Sequence, residues 1–171
     1  MNHHMTLLIS SGLVFAAGST GCMNDSDHGG DIPGNAHHVS VTPLDEAEPM
    51  RFHSGLTARQ RVVVRDVATW TSMWPQIVGP VTLVPPVPAI DFSRDAVIVT
   101  AMGTQSTGGY AIRVDDAATL GDDAWISVVE QSPDAPCGVL TVLTAPSAVV
   151  VVPRFDGDAT FVEHTEVVNC K

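Results

Sequence analysis

From Arg61 onward the apolar residues come in short bursts bounded by Gly, Pro and Asp clusters. Arg61-Val62-Val63-Val64-Arg65 is the first and Ala96-Val97-Ile98-Val99-Thr100-Ala101 the second. Tyr110-Ala111-Ile112-Arg113-Val114 follows, with Tyr110, Ile112 and Val114 alternating against smaller or polar residues. Further runs span Trp125 to Glu130, Val139 to Thr144, Ala148 to Val152 and Thr160 to Val168. Runs of this length, rich in β-branched valine and punctuated by turn residues, predict strands of a mainly antiparallel β domain.

One segment has the helical period instead. Asp66 is placed to cap a first turn, and Val67, Trp70, Met73 and Trp74 fall along one face. The two tryptophans are expected to anchor this face in the core and not to form a ligand platform, because a short helix is worth forming only if it buries area. Pro75 is expected to end the helix near Met73 or Trp74. Gly79 to Pro88, with Pro85-Pro86 inside it, reads as an extended loop and not a strand. The fold class is thus mainly β (α+β), an antiparallel sheet or sandwich-like domain with one short amphipathic helix, behind a disordered tail.

The amino-terminal fifth is different. Thr6 to Ala17 is an apolar run of 12 followed by Gly18, Ser19, Thr20 and Gly21, the length of a signal-peptide core and too short for a membrane span. Ser19-Thr20-Gly21-Cys22 resembles a bacterial lipobox, in which the cysteine is acylated and becomes the first mature residue. Leucine is usual where Ser19 stands, and the start carries no lysine or arginine, so an ordinary secretory signal is the alternative. Residues 1–21 are expected to be the signal peptide, 22–50 an acidic disordered tether and 51–171 the β-rich domain. The tether expectation rests on charge: the six acidic residues up to Met50 meet no basic one, because all 8 lysines and arginines lie at or beyond Arg51.

Charge also excludes function classes. With 19 acidic against 8 basic residues the net charge is -11, which repels nucleic-acid phosphates. At 171 residues there is room for one domain. Three cysteines are present; with Cys22 assigned to lipid, Cys137 and Cys170 make one disulfide in an exported domain, the alternative being two free thiols.

A catalytic reading needs a nucleophile with a base, a metal set or paired carboxylates. The chain has no Gly-x-Ser-x-Gly turn, no His-Glu-x-x-His, no Cys-x-x-Cys and no phosphate loop. His164 lies beside Glu163 and Glu166, but strand alternation puts Glu163 on the opposite face and all three suit a solvated sheet. His28, His37 and His38 share the tail with carboxylates at no defined ligand spacing, and Asp115-Asp116 and Asp122-Asp123 match no calcium loop. No catalytic residue, metal ligand or cofactor is assigned. The candidate contact is the loop Gly103-Thr104-Gln105-Ser106-Thr107-Gly108-Gly109 with Tyr110: glycines let another backbone approach, and the hydroxyls and amide offer hydrogen bonds. A tight hairpin would use paired glycines as well.

The succession Val67-Ala68-Thr69-Trp70-Thr71-Ser72-Met73-Trp74, Ile90-Asp91-Phe92, Val97-Ile98-Val99 to Gly103, Thr107-Gly108-Gly109-Tyr110-Ala111-Ile112, Trp125-Ile126-Ser127-Val128 and the valine run ending at Pro153 resembles the PrcB C-terminal domain family, over roughly Arg61 to Cys170. That family is named for a lipoprotein subunit of a surface protease complex. The resemblance implies association with a secreted or surface protease, not proteolysis itself. The expected protein is an exported, lipid-anchored, non-catalytic accessory module of the cell envelope, at the outer membrane or cell surface. A small-ligand or metal-binding lipoprotein and an envelope hydrolase are the alternatives.

Overall fold

The computed structural model describes residues 31–135 and 137–170. Eight strands form two four-stranded sheets. One holds β1 (His37–His38), β5 (Ala111–Leu120), β6 (Asp123–Pro133) and β8 (Ala159–Val168), in that order. The other runs β2 (Thr42–Pro43), β7 (Ser147–Pro153), β4 (Asp95–Met102), β3 (Arg59–Val64). Every pairing is antiparallel except β6 with β8, which is parallel and extends from Ala124↔Ala159 to Pro133↔Val168.

The sequence of β4 explains the layering. Its unbroken apolar run lies buried on both faces. Ala96 and Ile98 pack with Ile126, Val128, Val150 and Val152 between the sheets, whereas Val97, Val99 and Ala101 pack with the helix α1 (Val67–Val78). A strand covered on both sides loses the polar alternation of a half-exposed one. The result is three layers, helix on sheet on sheet.

Asp66 caps α1 as expected, its carboxylate accepting from the Thr69 amide at 2.8 Å. Trp70 and Trp74 are buried, their ring centroids 5.5 Å apart. Two expectations about this helix are corrected. Val67 is exposed, and the buried face is Trp70, Trp74, Ile77 and Val78. Pro75 also does not end the helix, which runs on to Val78. Proline removes the amide that would bond the Thr71 carbonyl, but Thr71 is exposed and water can serve that oxygen. The extra turn buries Ile77 and Val78, and its end is closed by Gly79 N–H on the Pro75 carbonyl and Gly55 N–H on the Ile77 carbonyl. A Cβ on Gly55 would lie 2.4 Å from the Gln76 oxygen, so that closure requires glycine.

The stretch 79–90 is strand-free and strapped to α1: the indole of Trp74 donates to the Pro85 carbonyl at 3.0 Å and that of Trp70 to the Pro88 carbonyl at 2.9 Å.

The tether expectation over 22–50 is corrected at its carboxyl end. His37-His38 pairs with β5, Thr42-Pro43 with β7, and Asp45–Met50 forms a 3-10 helix that buries Ala47, with Leu44 at its start. Leu44 and Ala47 are apolar residues inside an acidic run, and they enter the core under α1 while the carboxylates around them stay outside. The signal-peptide expectation over 1–21 and the lipidation expectation at Cys22 lie outside the described residues. No helix among the described residues is long and apolar enough to cross a membrane.

Candidate functional site

The loop 103–110 leaves β4 in one sheet and enters β5 in the other, so it crosses the end of the sandwich and is not a hairpin. Gly103 starts the crossing with φ 76°, and a Cβ there would meet Arg59 N and Thr57 O at 3.0 Å. The polar residues of the loop are partly engaged by the body. Thr104 N–H donates to the Thr57 carbonyl at 3.1 Å, and Gln105 exchanges both backbone bonds with Thr144, at 2.8 and 3.1 Å. The Thr144 hydroxyl donates to the Thr107 carbonyl at 2.9 Å, and Gly108 N–H to the Leu140 carbonyl at 2.9 Å. Ser106 remains exposed.

Gly108, Gly109 and Tyr110 form one wall of an open groove of about 360 Å³. Phe52, His53, Ala111 and Gln131 line it as well, and Leu140, Val142 and Thr144 supply its far wall. Among the described residues no lining residue is a carboxylate, lysine or arginine, on a chain of net charge -11. The far wall overturns one sequence expectation. Val139 to Thr144 is not a strand; only Thr144, with Gln105, and Ala145, with His53, make isolated bridges. The stretch emerges past the ends of both sheets, where no neighbouring strand offers a ladder of donors and acceptors. Its apolar side chains consequently face solvent: Leu140 is 78% exposed and Leu143 68%.

Cys137 and Cys170 are joined, with Cα atoms 5.2 Å apart, and the bridge fastens the start of this loop to the chain just beyond β8.

Charged residues form a separate cluster between the sheets, on their β3 and β8 edges. Arg61 is nearly buried. Its Nε and Nη2 hold Glu163 of β8 at 2.7 and 2.9 Å, Nη2 also bonds Glu130 of β6, and Nη1 donates to the Gln60 and Ala101 carbonyls at 2.8 and 3.0 Å. Arg59 bonds both glutamates at 3.0 Å. Burial opposes ionisation of Arg61, but its bonds to Glu163 and Glu130 outweigh that and raise its pKa. Burial likewise opposes the charge of Glu163, and the bonds to Arg61 outweigh it, holding this carboxyl below its ordinary value. Sequence reading missed the cluster. Its signal was present as Arg59-x-Arg61-x-Val63, a strand face that carries two cations inward beside an apolar residue.

His164 and Glu163 sit on opposite faces of β8, as alternation requires. Glu166, on the His164 face, is held in a two-bond pair with Arg113 at 2.8 and 3.0 Å. That pairing depresses the Glu166 pKa. Asp115 and Asp116 lie at a bulge in β5 between Val114 and Asp116, and His38 Nδ1 approaches Asp116 at 2.7 Å. Asp122 and Asp123 stand at the β5–β6 turn, where Asp123 accepts from Asp158 N–H at 2.9 Å and the Asp122 carbonyl from Gly157 N–H at 2.8 Å. Among the described residues no group of three or more His, Cys, Asp or Glu could hold a metal ion.

A family model described as PrcB C-terminal matches residues 96–153, from β4 through the crossing loop and the groove's far wall to the end of β7. The tryptophan helix, the Arg59–Arg61 pair, β8 and Cys170 lie outside the match. No curated protein and no solved structure matches the chain. The segment 96–153 is thus similar to the PrcB C-terminal family.

Proposed function

We propose that the protein is a non-catalytic accessory subunit of a protease complex, exported and lipid-anchored at Cys22, which holds a secreted or surface protease at the groove beside Gly108 to Tyr110. The family match supports the accessory role. The observation that carries the contact assignment is the charge-free groove: an apolar, open surface on an otherwise acidic protein is what an interface core needs, since charges are depleted there.

Position supports it too. Antiparallel pairing of His37 with Thr119 sends the chain before it toward the Gly121 turn, at the end of the sandwich opposite Ala111 and the groove. From Cys22 to Asp31 a fully extended chain spans about 30 Å. An anchor at Cys22 would therefore hold one end of the domain to a lipid surface and present the groove at the other.

The test is a crosslinking capture of the tagged mature protein from its native envelope, run beside Leu140→Asp/Val142→Asp. One secreted protease recovered with the parent and lost with the variant is the expected outcome. Equal recovery overturns the contact assignment, and recovery of no protease overturns the accessory role. Cys22→Ala should release the protein from membranes; a variant that stays bound refutes the anchor. A second reading, a small apolar ligand, is favoured by the groove's volume of about 360 Å³, within the range of ligand sites. Apolar compounds that raise the melting temperature of the purified domain would support it.

A further inference from the structure

Resting on the groove as the contact site, we propose that the Cys137–Cys170 disulfide is a redox latch: oxidised, it holds the groove's far wall in place, and reduced, it lets that wall go. The loop from Cys137 to Leu143 has no buried side chain. Between its ends, the backbone bond joining it to the body among the described residues is Gly108 N–H to the Leu140 carbonyl. The Cys137 amide turns back on Asp134 and the Val142 amide on Leu140, so neither ties the loop to a sheet.

Its position is therefore set by its two ends. Downstream, Thr144 is bonded twice to Gln105 and once to Thr107. Upstream, the disulfide joins Cys137 to Cys170. With the disulfide cut, the next upstream backbone attachment among the described residues is Asp134 N–H on the Val168 carbonyl, at 3.0 Å. Among the described residues, the span from Asp134 to Thr144 would then depend on the Gly108–Leu140 amide bond and on a weak thiol contact of Cys137 with the Val168 carbonyl at 3.3 Å, too little to offset the conformational freedom of those residues. Leu140 and Val142, which form the apolar wall, lie in the middle of that span.

The bridge is open to exchange. Cys170 is exposed and Cys137 half-buried, so a dithiol reductant has a sulfur within reach. Its thiolate attacks Cys170 Sγ, the S–S bond breaks, and Cys137 leaves as thiolate and takes a proton. The reductant's second thiolate then attacks the mixed disulfide and releases Cys170. Two electrons pass from the dithiol, which ends as a disulfide, and the protein ends with two thiols. An oxidising exported compartment would keep the latch closed.

Amide hydrogen exchange on the purified domain, oxidised and then reduced with dithiothreitol, tests the latch without any partner. Free thiols are verified by mass, and Cys137→Ser/Cys170→Ser is measured beside it. The Gly108 amide should lose its protection, exchanging about a hundredfold faster, while Val99 in the central strand stays protected and the near-ultraviolet signal of the packed tryptophans persists. Unchanged protection at Gly108 overturns the proposal. Loss at Gly108 and Val99 by the same factor also overturns it, because the bridge would then be a global stabiliser and no local latch. The groove reading fails separately, if Leu140→Asp/Val142→Asp leaves protease capture intact although the latch opens on reduction.

Discussion

Trp70 and Trp74 on α1, and Leu140 and Leu143 in the loop before β7, are similarly apolar, but the former are buried and the latter face solvent. The difference lies in what the backbone finds beside it. The α1 backbone satisfies its own hydrogen bonds except at the Thr71 carbonyl, the helix lies on β4 and β7, and its indole N–H groups donate to carbonyls of the adjacent strap. The loop passes the ends of both sheets and, among the described residues, has one amide bond to the body in its middle and no second layer over it. Burial thus follows from a packing surface as much as from hydrophobicity.

That contrast orders the expected effects of mutation. Trp74→Ala empties a packed site between helix and sheet and should cost about 3–5 kcal/mol in denaturant unfolding; a loss below about 1 kcal/mol would mean that the helix layer contributes little. Arg61→Ala leaves Glu130 and Glu163 facing each other with Arg59 as their remaining cation, and should cost about 2 kcal/mol by the same measurement. Arg61→Met, which keeps the volume, should restore part of the loss if packing contributes beside charge.

Acid should act on Glu163 of that cluster and on Glu166 in its pair with Arg113. Glu163 and Glu166 have folded-state pKa values below the ordinary 4.5, so their contribution is fully present above that value and fades as pH falls through the depressed ones. Melting temperature should therefore hold from pH 7 to about 5 and fall below about 4.5, with a shallower fall in Glu163→Gln. An unchanged profile in that variant would remove Glu163 from the acid response. The smallest effect belongs to the groove: Leu140→Asp should shift stability by no more than about 0.5 kcal/mol while weakening partner capture. A large loss of stability would show that the exposed loop supports the core after all.

Much of this was legible along the chain. Valine runs announced five strands within a few residues of where they lie, Asp66 announced the helix start, and the cysteine pair its bridge. The errors have physical reasons. Val139 to Thr144 has a strand's composition but lies where no neighbouring strand can pair with it. Pro75 was expected to stop a helix that continues because burying Ile77 and Val78 offsets one lost amide bond. Leu44 and Ala47 were hidden among carboxylates, although two apolar residues three apart suffice to pin a short 3-10 turn to a core.

The candidate site divides the same way. The glycines, hydroxyls and Tyr110 of the crossing loop could be picked out one by one, because special backbone angles and hydrogen-bonding groups are properties of single residues. Phe52, His53, Gln131, Leu140 and Val142 carry no local signal for a shared groove, and neither do Arg59, Arg61, Glu130 and Glu163 for a shared cluster. Composition, charge and periodicity by themselves determined a valine-rich β domain with one capped helix, an acidic surface and a cysteine pair, since each depends on residues close along the chain. Which strands neighbour one another, where the apolar loop stays uncovered and which charges meet were decided by the tertiary structure alone, because those contacts join residues as much as 104 positions apart.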